Sequence, residues 1–425
     1  MLNMRTCIFL LLVSLLITPA LASDWSMFKK DTSHSGFTTD AVNPPLTVAW
    51  TSNLGFDSDS SPVIVNDVLY VGSNFGIHAI DAKTGKELWK TQTNGFVKSA
   101  PTVADGVLYV GGDDNRFYAM DIKDGTMKWI YKNATNGYTS SPIVVNNLAY
   151  EGSKDGSFYA FDVRNGEPSW QVLTGKLIES SPAMGDGIIV FGTDGGLIIA
   201  VDPVTRKEKW RYDTGASDIL SSPLIADGSV FVGSNDGNIY ALATANGTLK
   251  WKYSTGSNVQ SSPSYKDGTV FAGSRDSNLY AIDAGTGNLK WKVQTAGFVD
   301  SSPAISNDVV YFGSRNNFIY GLDVNTGKLL FRNLTGQKDK DYISSPAISG
   351  NMLYAVTNSG IVYAYSGVAA QATQATPATT PTVKETAVTP TLSPTVTPTA
   401  TQKTPGFEYP VVVLFIVVLI RKRLN

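Results

Sequence analysis

Apolar and polar residues alternate in short bursts along most of this chain. One burst, Pro62-Val63-Ile64-Val65, is followed by the polar pair Asn66-Asp67, then by Leu69-Tyr70-Val71-Gly72-Ser73. Further on, Asn235-Asp236-Gly237 leads into Ile239-Tyr240-Ala241-Leu242, and Thr84-Gly85-Lys86 leads to a burst carrying Trp89. Runs of four to six residues, rich in aromatic and β-branched side chains and bounded by Gly, Asn and Asp, predict strands. The pairs Asn66-Asp67, Asp105-Gly106, Asp227-Gly228 and Asp267-Gly268 are residue types that tolerate positive φ in two-residue hairpins.

This sentence of four strands recurs. Ser-Ser-Pro or a near copy ends at Pro62, Pro101, Pro142, Pro182, Pro223, Pro263, Pro303 and Pro346, with spacings between 39 and 43 residues. A lone four-stranded meander leaves its apolar faces bare, so the units must pack on one another. A period of about 40 residues with four strands is that of a β-propeller blade. The pattern predicts an all-β, eight-bladed β-propeller over residues 46–366.

The ends of the array argue for a closed ring. Seven units carry their own fourth strand, marked by Trp89, Trp129, Trp170, Trp210, Trp251, Trp291 and Phe331, while the eighth stops at Tyr365. The missing strand lies ahead of the first unit, at Leu46–Asn53 around Trp50. The N-terminal strand is expected to complete the last blade and so remove a sticky edge.

Outside the repeat the pattern changes. Residues 1–22 read as a signal peptide: Arg5, an apolar run Cys7–Ile17, then Ala20-Leu21-Ala22. The run would reach roughly 16 Å as a helix, short of the roughly 30 Å of a bilayer core. Residues 23–45 form a lead-in. Residues 367–404 are Thr, Pro and Ala with almost no large apolar side chains, the composition of a disordered and often O-glycosylated stalk, or of a plain linker. Residues 405–425 comprise Pro405-Gly406-Phe407, an apolar run Tyr409–Ile420, and Arg421-Lys422-Arg423. This order resembles the PGF-type C-terminal sorting signal of archaeal surface proteins. That resemblance implies a sortase-like processing enzyme and a lipid on the new C-terminus; a plain membrane anchor is the other reading.

Composition narrows the chemistry. The net charge of −2 gives no basic excess for nucleic acid. The single cysteine, Cys7, falls in the leader, and His34 and His78 are the only histidines. A zinc site normally draws on several such ligands. Neither histidine accompanies a G-x-S-x-G nucleophile motif. None of the Asp/Asn/Gly turns has the full calcium loop ending in Glu.

The segments Ala79-Ile80-Asp81 through Trp89 and Ala281-Ile282-Asp283 through Trp291 carry the motif AxDxxTGKxxW or a near copy. It resembles the pyrroloquinoline-quinone (PQQ)-type propeller repeat, and Asp24–Phe28 is similar to the lead-in of many secreted members. The resemblance implies either a quinone-dependent dehydrogenase or a cofactor-free scaffold such as the propeller lipoprotein of bacterial outer-membrane assembly. The alcohol-oxidising members carry adjacent cysteines and a Glu, Asn and Asp calcium set; this chain has no cysteine after the leader. No PQQ, calcium or other metal is therefore expected, and no catalytic residue is assigned.

The repeated Asp81, Asp121, Asp162, Asp202, Asp283 and Asp323 read as turn formers, and the Trp row as interblade packing. The glycine in each Tyr-x-Gly-Ser strand, such as Gly72 and Gly233, implies close backbone approach, with Val356 in its place in the last blade. Strand alternation puts the residues before Ser-Ser-Pro and the second-to-third-strand turns on one face. There the repeat varies: Asp59, Lys98, Thr139, Glu179, Leu220, Gln260, Asp300 and Ile343, with Arg116, Lys154, Arg275 and Arg315 in the turns and a longer loop near Gln337–Asp341. Such variation suits a binding face. Asn133, Asn246 and Asn333 begin glycosylation sequons. The expected protein is an extracellular, surface-anchored monomer and glycoprotein that binds a cell-envelope protein or glycan.

Overall fold

The computed structural model describes residues 23–215, 217–335 and 342–367. The leader, the stalk, the sorting motif Pro405-Gly406-Phe407 and the loop Gln337–Asp341 lie outside the described residues.

Eight antiparallel sheets follow one another along the chain. A representative blade, the fifth, has strands Leu224–Ala226, Ser229–Gly233, Asn238–Ala243 and Leu249–Ser254. Its first turn holds Asp227 at φ 48° and Gly228 at φ 65°, as the turn chemistry requires. The ring closes as expected. Thr47–Asn53 pairs antiparallel with Ile361–Ser366, Trp50 opposite Ala364, to complete blade 8. Blade 1 departs from the pattern: its second and third strands are one run, Val68–Asp81, turning at Phe75.

Three interblade contacts explain the repeat. First, Ser-Ser-Pro is a hydrogen-bond relay. The second serine's N–H donates to the second serine's Oγ in the next blade: Ser141 to Ser181, Ser181 to Ser222 and Ser222 to Ser262, each 2.9 Å. The relay continues through Ser302 and Ser345 to Ser61, back in blade 1. It starts at Ala100 of blade 2, whose N–H reaches Ser141 Oγ but which has no hydroxyl to accept from Ser61. Second, the first serine ties two blades. Ser221 Oγ accepts from Gly233 N–H and donates to Ser261 C=O. Third, each tryptophan lies over the turn of the next blade. Trp89 Nε1 donates to Ile122 C=O at 3.0 Å, and a Cβ on Gly125 would sit 2.6 Å from the indole. Trp50 does the same to Ala82 C=O and Gly85 across the closure. Where Arg206 (φ 61°) replaces that glycine, the Trp170 N–H is left buried without a partner.

The strand glycines behave as expected: a Cβ on Gly72 would be 2.4 Å from Val97 O. Val356 is fully buried in the core. Each apolar cluster is shared between neighbours; Leu224 and Phe231 of blade 5 pack with Val270 and Tyr280 of blade 6.

The lead-in does more than precede the ring. Trp25 exchanges backbone bonds with Ile64 of blade 1, and Ser26 C=O accepts from Val103 of blade 2. The carbonyls of Thr32, Ser33, Ser35 and Gly36 then accept from Met184, Ile225, Tyr265 and Ile305 of blades 4 to 7. Phe37–Thr38 adds a short parallel strand to blade 7, and Asp40 takes Gly350 N–H of blade 8. This segment therefore satisfies inner-edge backbone groups of the first strands in blades 1, 2 and 4 to 7. Lys29 is buried within it, donating to Pro303 C=O at 2.7 Å and to Ser264 Oγ, and burial holds its pKa well below the usual lysine range.

One buried group works against the fold. Glu151 occupies a second-strand position filled by Val71, Val110 and Phe191 in other blades. It is fully buried, neither carboxyl oxygen has a hydrogen-bond partner, and burial raises its pKa well above the usual value. A folded-state pKa raised above about 4.3 stabilises below that pH, and the benefit fades as pH climbs toward the folded pKa.

Two predictions follow from these contacts. Ser181→Ala strands the buried Ser141 N–H and should cost about 1–3 kcal/mol, read from urea midpoints; an unchanged midpoint contradicts the relay. Glu151→Gln should gain stability over wild type progressively as pH rises above about 4.3, by up to about 1.4 kcal/mol per pH unit. Parallel pH curves for the two proteins would refute an unpaired buried carboxyl.

Candidate binding face

The serine relay fixes the start of each first strand, and with it the residue just before Ser-Ser-Pro. Those residues and the second-to-third-strand turns do share one face, but most of the charged groups are not free. They are tied to one another across blade boundaries.

From blade 5 round to blade 1 they form a chain. Asn235 Oδ1 accepts from Gln260 at 3.1 Å, and Gln260 Oε1 accepts from Arg275 at 2.6 Å. Asp300 takes Arg275 Nε at 3.0 Å and Arg315 Nε at 2.6 Å. The Arg315 guanidinium lies 4.7 Å from the Tyr342 ring centroid, and Tyr342 OH donates to Asp59. Across the ring, Asp113 joins Lys98 of its own blade, at 3.3 Å, to Lys154 of blade 3, at 3.2 Å. Most links pair one blade's turn with its own or the next blade's leading residue; Asp113–Lys154 joins two turns and Tyr342–Asp59 two leading segments.

Glu179 accepts from Thr139 at 3.3 Å. Beside it Asp194 is pushed up to about 6, mainly by burial and then by the charges of Glu179 and Asp218, with Lys154 opposing. Asp194 Oδ1 is buried without a partner. This arc of the face thus gains negative charge above about pH 6. Arg116 instead meets the Asn94 carboxamide oxygen, at 2.6 Å with the amide correctly oriented. Ile343 is buried in the core and bridges to Thr357, so it is not part of the surface.

The repeated aspartates are turn formers in the structure: Asp81 Oδ1 accepts from the Lys83 and Thr84 N–H groups and from the Thr84 hydroxyl. Of the sequons, Asn133 and Asn246 are exposed in loop and turn, while Asn333 lies in a strand with Thr335 buried and donating to Asn317 C=O.

The quinone that the repeat resemblance brings with it carries several carboxylates. It would need uncommitted cations and a metal ligand set. Lys98, Lys154, Arg275 and Arg315 already face carboxylates, and among the described residues no cluster of three His, Cys, Asp or Glu side chains could hold a metal. On this face, therefore, the cations such a group would draw on are already engaged.

Eight four-stranded blades built on this motif define a β-propeller of PQQ-like repeats. The chain belongs to the family described as outer membrane protein assembly factor BamB, whose sequence profile matches residues 40–176, 154–264 and 254–397. It is 30% identical over 104 residues to the BamB assembly factor of Salmonella typhimurium, covering 21% of this chain and 26% of that one. It is 29% identical over 133 residues to a quinohemoprotein alcohol dehydrogenase of Comamonas testosteroni, covering 27% and 19%. The chain thus spans about a quarter of the length of these curated relatives. In structure it is similar to BamB from Moraxella catarrhalis, with a TM-score of 0.65 at 18% identity over 76% of this chain and 98% of that one. The Comamonas dehydrogenase gives 0.70 at 16% identity over 81% of each chain. These likenesses establish the fold.

The pairings give a measurable consequence. Asp300→Ala should cost roughly 1–2 kcal/mol by releasing two guanidiniums from a partly buried carboxylate, and a double-mutant cycle with Arg275→Ala should return a coupling near 1 kcal/mol. Full additivity in urea denaturation would dissolve the network.

Proposed function

We propose that this chain is a non-catalytic binding propeller of the cell envelope, which recognises a protein or glycan through the face that carries Asp59, Lys98, Lys154, Glu179, Gln260, Arg275, Asp300 and Arg315. The observation that carries this reading is the interlocked rim. Its charged groups are held in pairs across blades on a rigid ring, a geometry suited to presenting a fixed polar pattern. The similarity to an outer membrane protein assembly factor supports a place among envelope proteins. Under this reading the C-terminal segment holds the propeller at the outside of the cell, either directly or after sortase-like processing and lipid attachment, and Asn133 and Asn246 are the sequons open to glycan.

The likeness to quinohemoprotein alcohol dehydrogenases supplies the rival reading. One experiment separates the two. Purified protein is incubated with pyrroloquinoline quinone and calcium, then used to capture partners from envelope extracts, alongside a variant carrying Lys98→Glu and Gln260→Ala. The binding reading expects partners that the variant loses while its melting temperature stays within a few degrees. A stoichiometric bound chromophore with alcohol oxidation, or capture unaffected by the variant, would contradict it.

A further inference from the structure

Blade 1 breaks the repeat at a single place. In seven blades the matching third-strand residue comes eight positions after the strand glycine, or after Val356 in blade 8, as from Gly233 to Ala241; in blade 1 it comes seven after, from Gly72 to Ala79. The others build the turn mainly from Asp, Asn, Gly and Ser, with Lys154, Arg275 and Arg315 among them, and the positive-φ position is Asn115, Gly156, Gly196, Gly237, Ser277, Asn317 or Gly360. In blade 1 that position is Phe75, at φ 66°. For a bulky residue this is a disfavoured conformation, of the kind that structures keep at functional positions.

The ring it carries is not used for packing the core. Phe75 is 42% exposed, and it meets two further exposed rings, Phe56 and Phe96, at 6.4 and 5.3 Å between centroids. They come from three separate segments: the loop after the closing strand, the shortened turn, and the end of blade 1's fourth strand. That strand, Glu87–Phe96, has ten residues where the other ring-completing strands have five to seven, and its extra length sets Phe96 opposite Asn74. Behind the turn, His78 replaces the tyrosine of other blades. It joins Ser73 Oγ at 2.8 Å to Glu87 Oε2 at 2.8 Å, bracing the hairpin from inside.

Phe56, Phe75, Lys90 and Gln92 line a pocket of about 360 Å³, within the roughly 300–1,000 Å³ of ligand pockets. Lys90 Nζ stands 4.4 Å from the Phe56 centroid and makes no ion pair among the described residues. An uncommitted ammonium over an apolar floor calls for a carboxylate beside an apolar group. Asp57, exposed next to Phe56, disfavours a dense polyanion such as an anionic membrane.

We propose that the Phe56, Phe75, Phe96 and Lys90 patch is a docking site for an acidic peptide segment of a partner protein, which seats an apolar side chain on the rings and a carboxylate on Lys90. This rests on the binding reading above and names a second contact, which adjoins the rim at Lys98, whose Nζ stands 6.0 Å from the Phe96 ring centroid.

The test uses the full chain and four probes in turn: a soluble peptide alternating Phe and Asp, the same peptide with Lys for Asp, vesicles of phosphatidylglycerol, and a soluble chitin oligosaccharide. Saturable binding of the Phe/Asp peptide, at least tenfold tighter than the Lys version, is expected. Phe75→Asn, which restores the turn chemistry of the other blades, should weaken it tenfold or more while raising the melting temperature. Lys90→Gln should erase the preference for Asp over Lys. Absence of saturable peptide binding, equal affinity for both peptides, or Phe75-dependent binding to the vesicles or the oligosaccharide instead would overturn the proposal. Gln260→Ala with Arg275→Glu, both in blade 6, is run in parallel, for envelope capture and for peptide binding. Loss of envelope capture there without peptide binding here refutes this site alone, while peptide binding with capture unaffected refutes the rim alone.

Discussion

The fold depends on hydrogen bonds that run around the ring. Each blade alone is a four-stranded meander with too little apolar area to stand by itself. Its inner strand is only three residues long, and what holds that strand in register is the serine relay to the next blade. The relay crosses the closure, from Ser345 to Ser61, where the chain's own two ends are also zipped by strand pairing. Trp50 repeats across that seam the indole-to-carbonyl bond made at most of the other seams. The join thus uses the same contacts as its neighbours, and the gap in the relay falls one seam further on, between Ser61 and Ala100.

That same constraint orders the variable face. A residue immediately ahead of a relay serine cannot move far without breaking bonds to two blades. Asp300 can therefore hold two arginines from adjacent turns, and fixed Lys98 shares the turn residue Asp113 with Lys154. On the inner edges, residues 24–40 take up backbone groups that the short first strands would otherwise leave open. These inner edges are covered in blades 1, 2 and 4 to 7, and the variable side chains are left for the face at the strand starts.

The architecture was legible in the sequence because it is written eight times. Spacing gave the blade count, and the offset of Trp50 from the last unit gave the closure. The purpose of the two serines was not legible, since their partners lie forty residues away and one of the two atoms is always backbone. The path of the lead-in was hidden for the same reason: it bonds through main-chain carbonyls, which no side-chain pattern reports. The rim residues were found, but their pairing was not, because a list of variable positions does not say which turn faces which strand start. Glu151 and Phe75 carried a signal that needed the repeats to be laid side by side. One is a carboxylate in a column of Val, Phe and Ala; the other is an aromatic ring in a column of Asn, Gly and Ser.

The central claim is that closure makes the ring one cooperative body. Amide hydrogen exchange, followed by strand, tests it most directly. If the account holds, amides of Thr47–Asn53 and Ile361–Ser366 exchange with the same protection as those of Ser229–Gly233 and Asn238–Ala243, in a single global opening. Faster exchange confined to blade 8, with blades 4 to 6 still protected, would show that the seam is not equivalent to its neighbours.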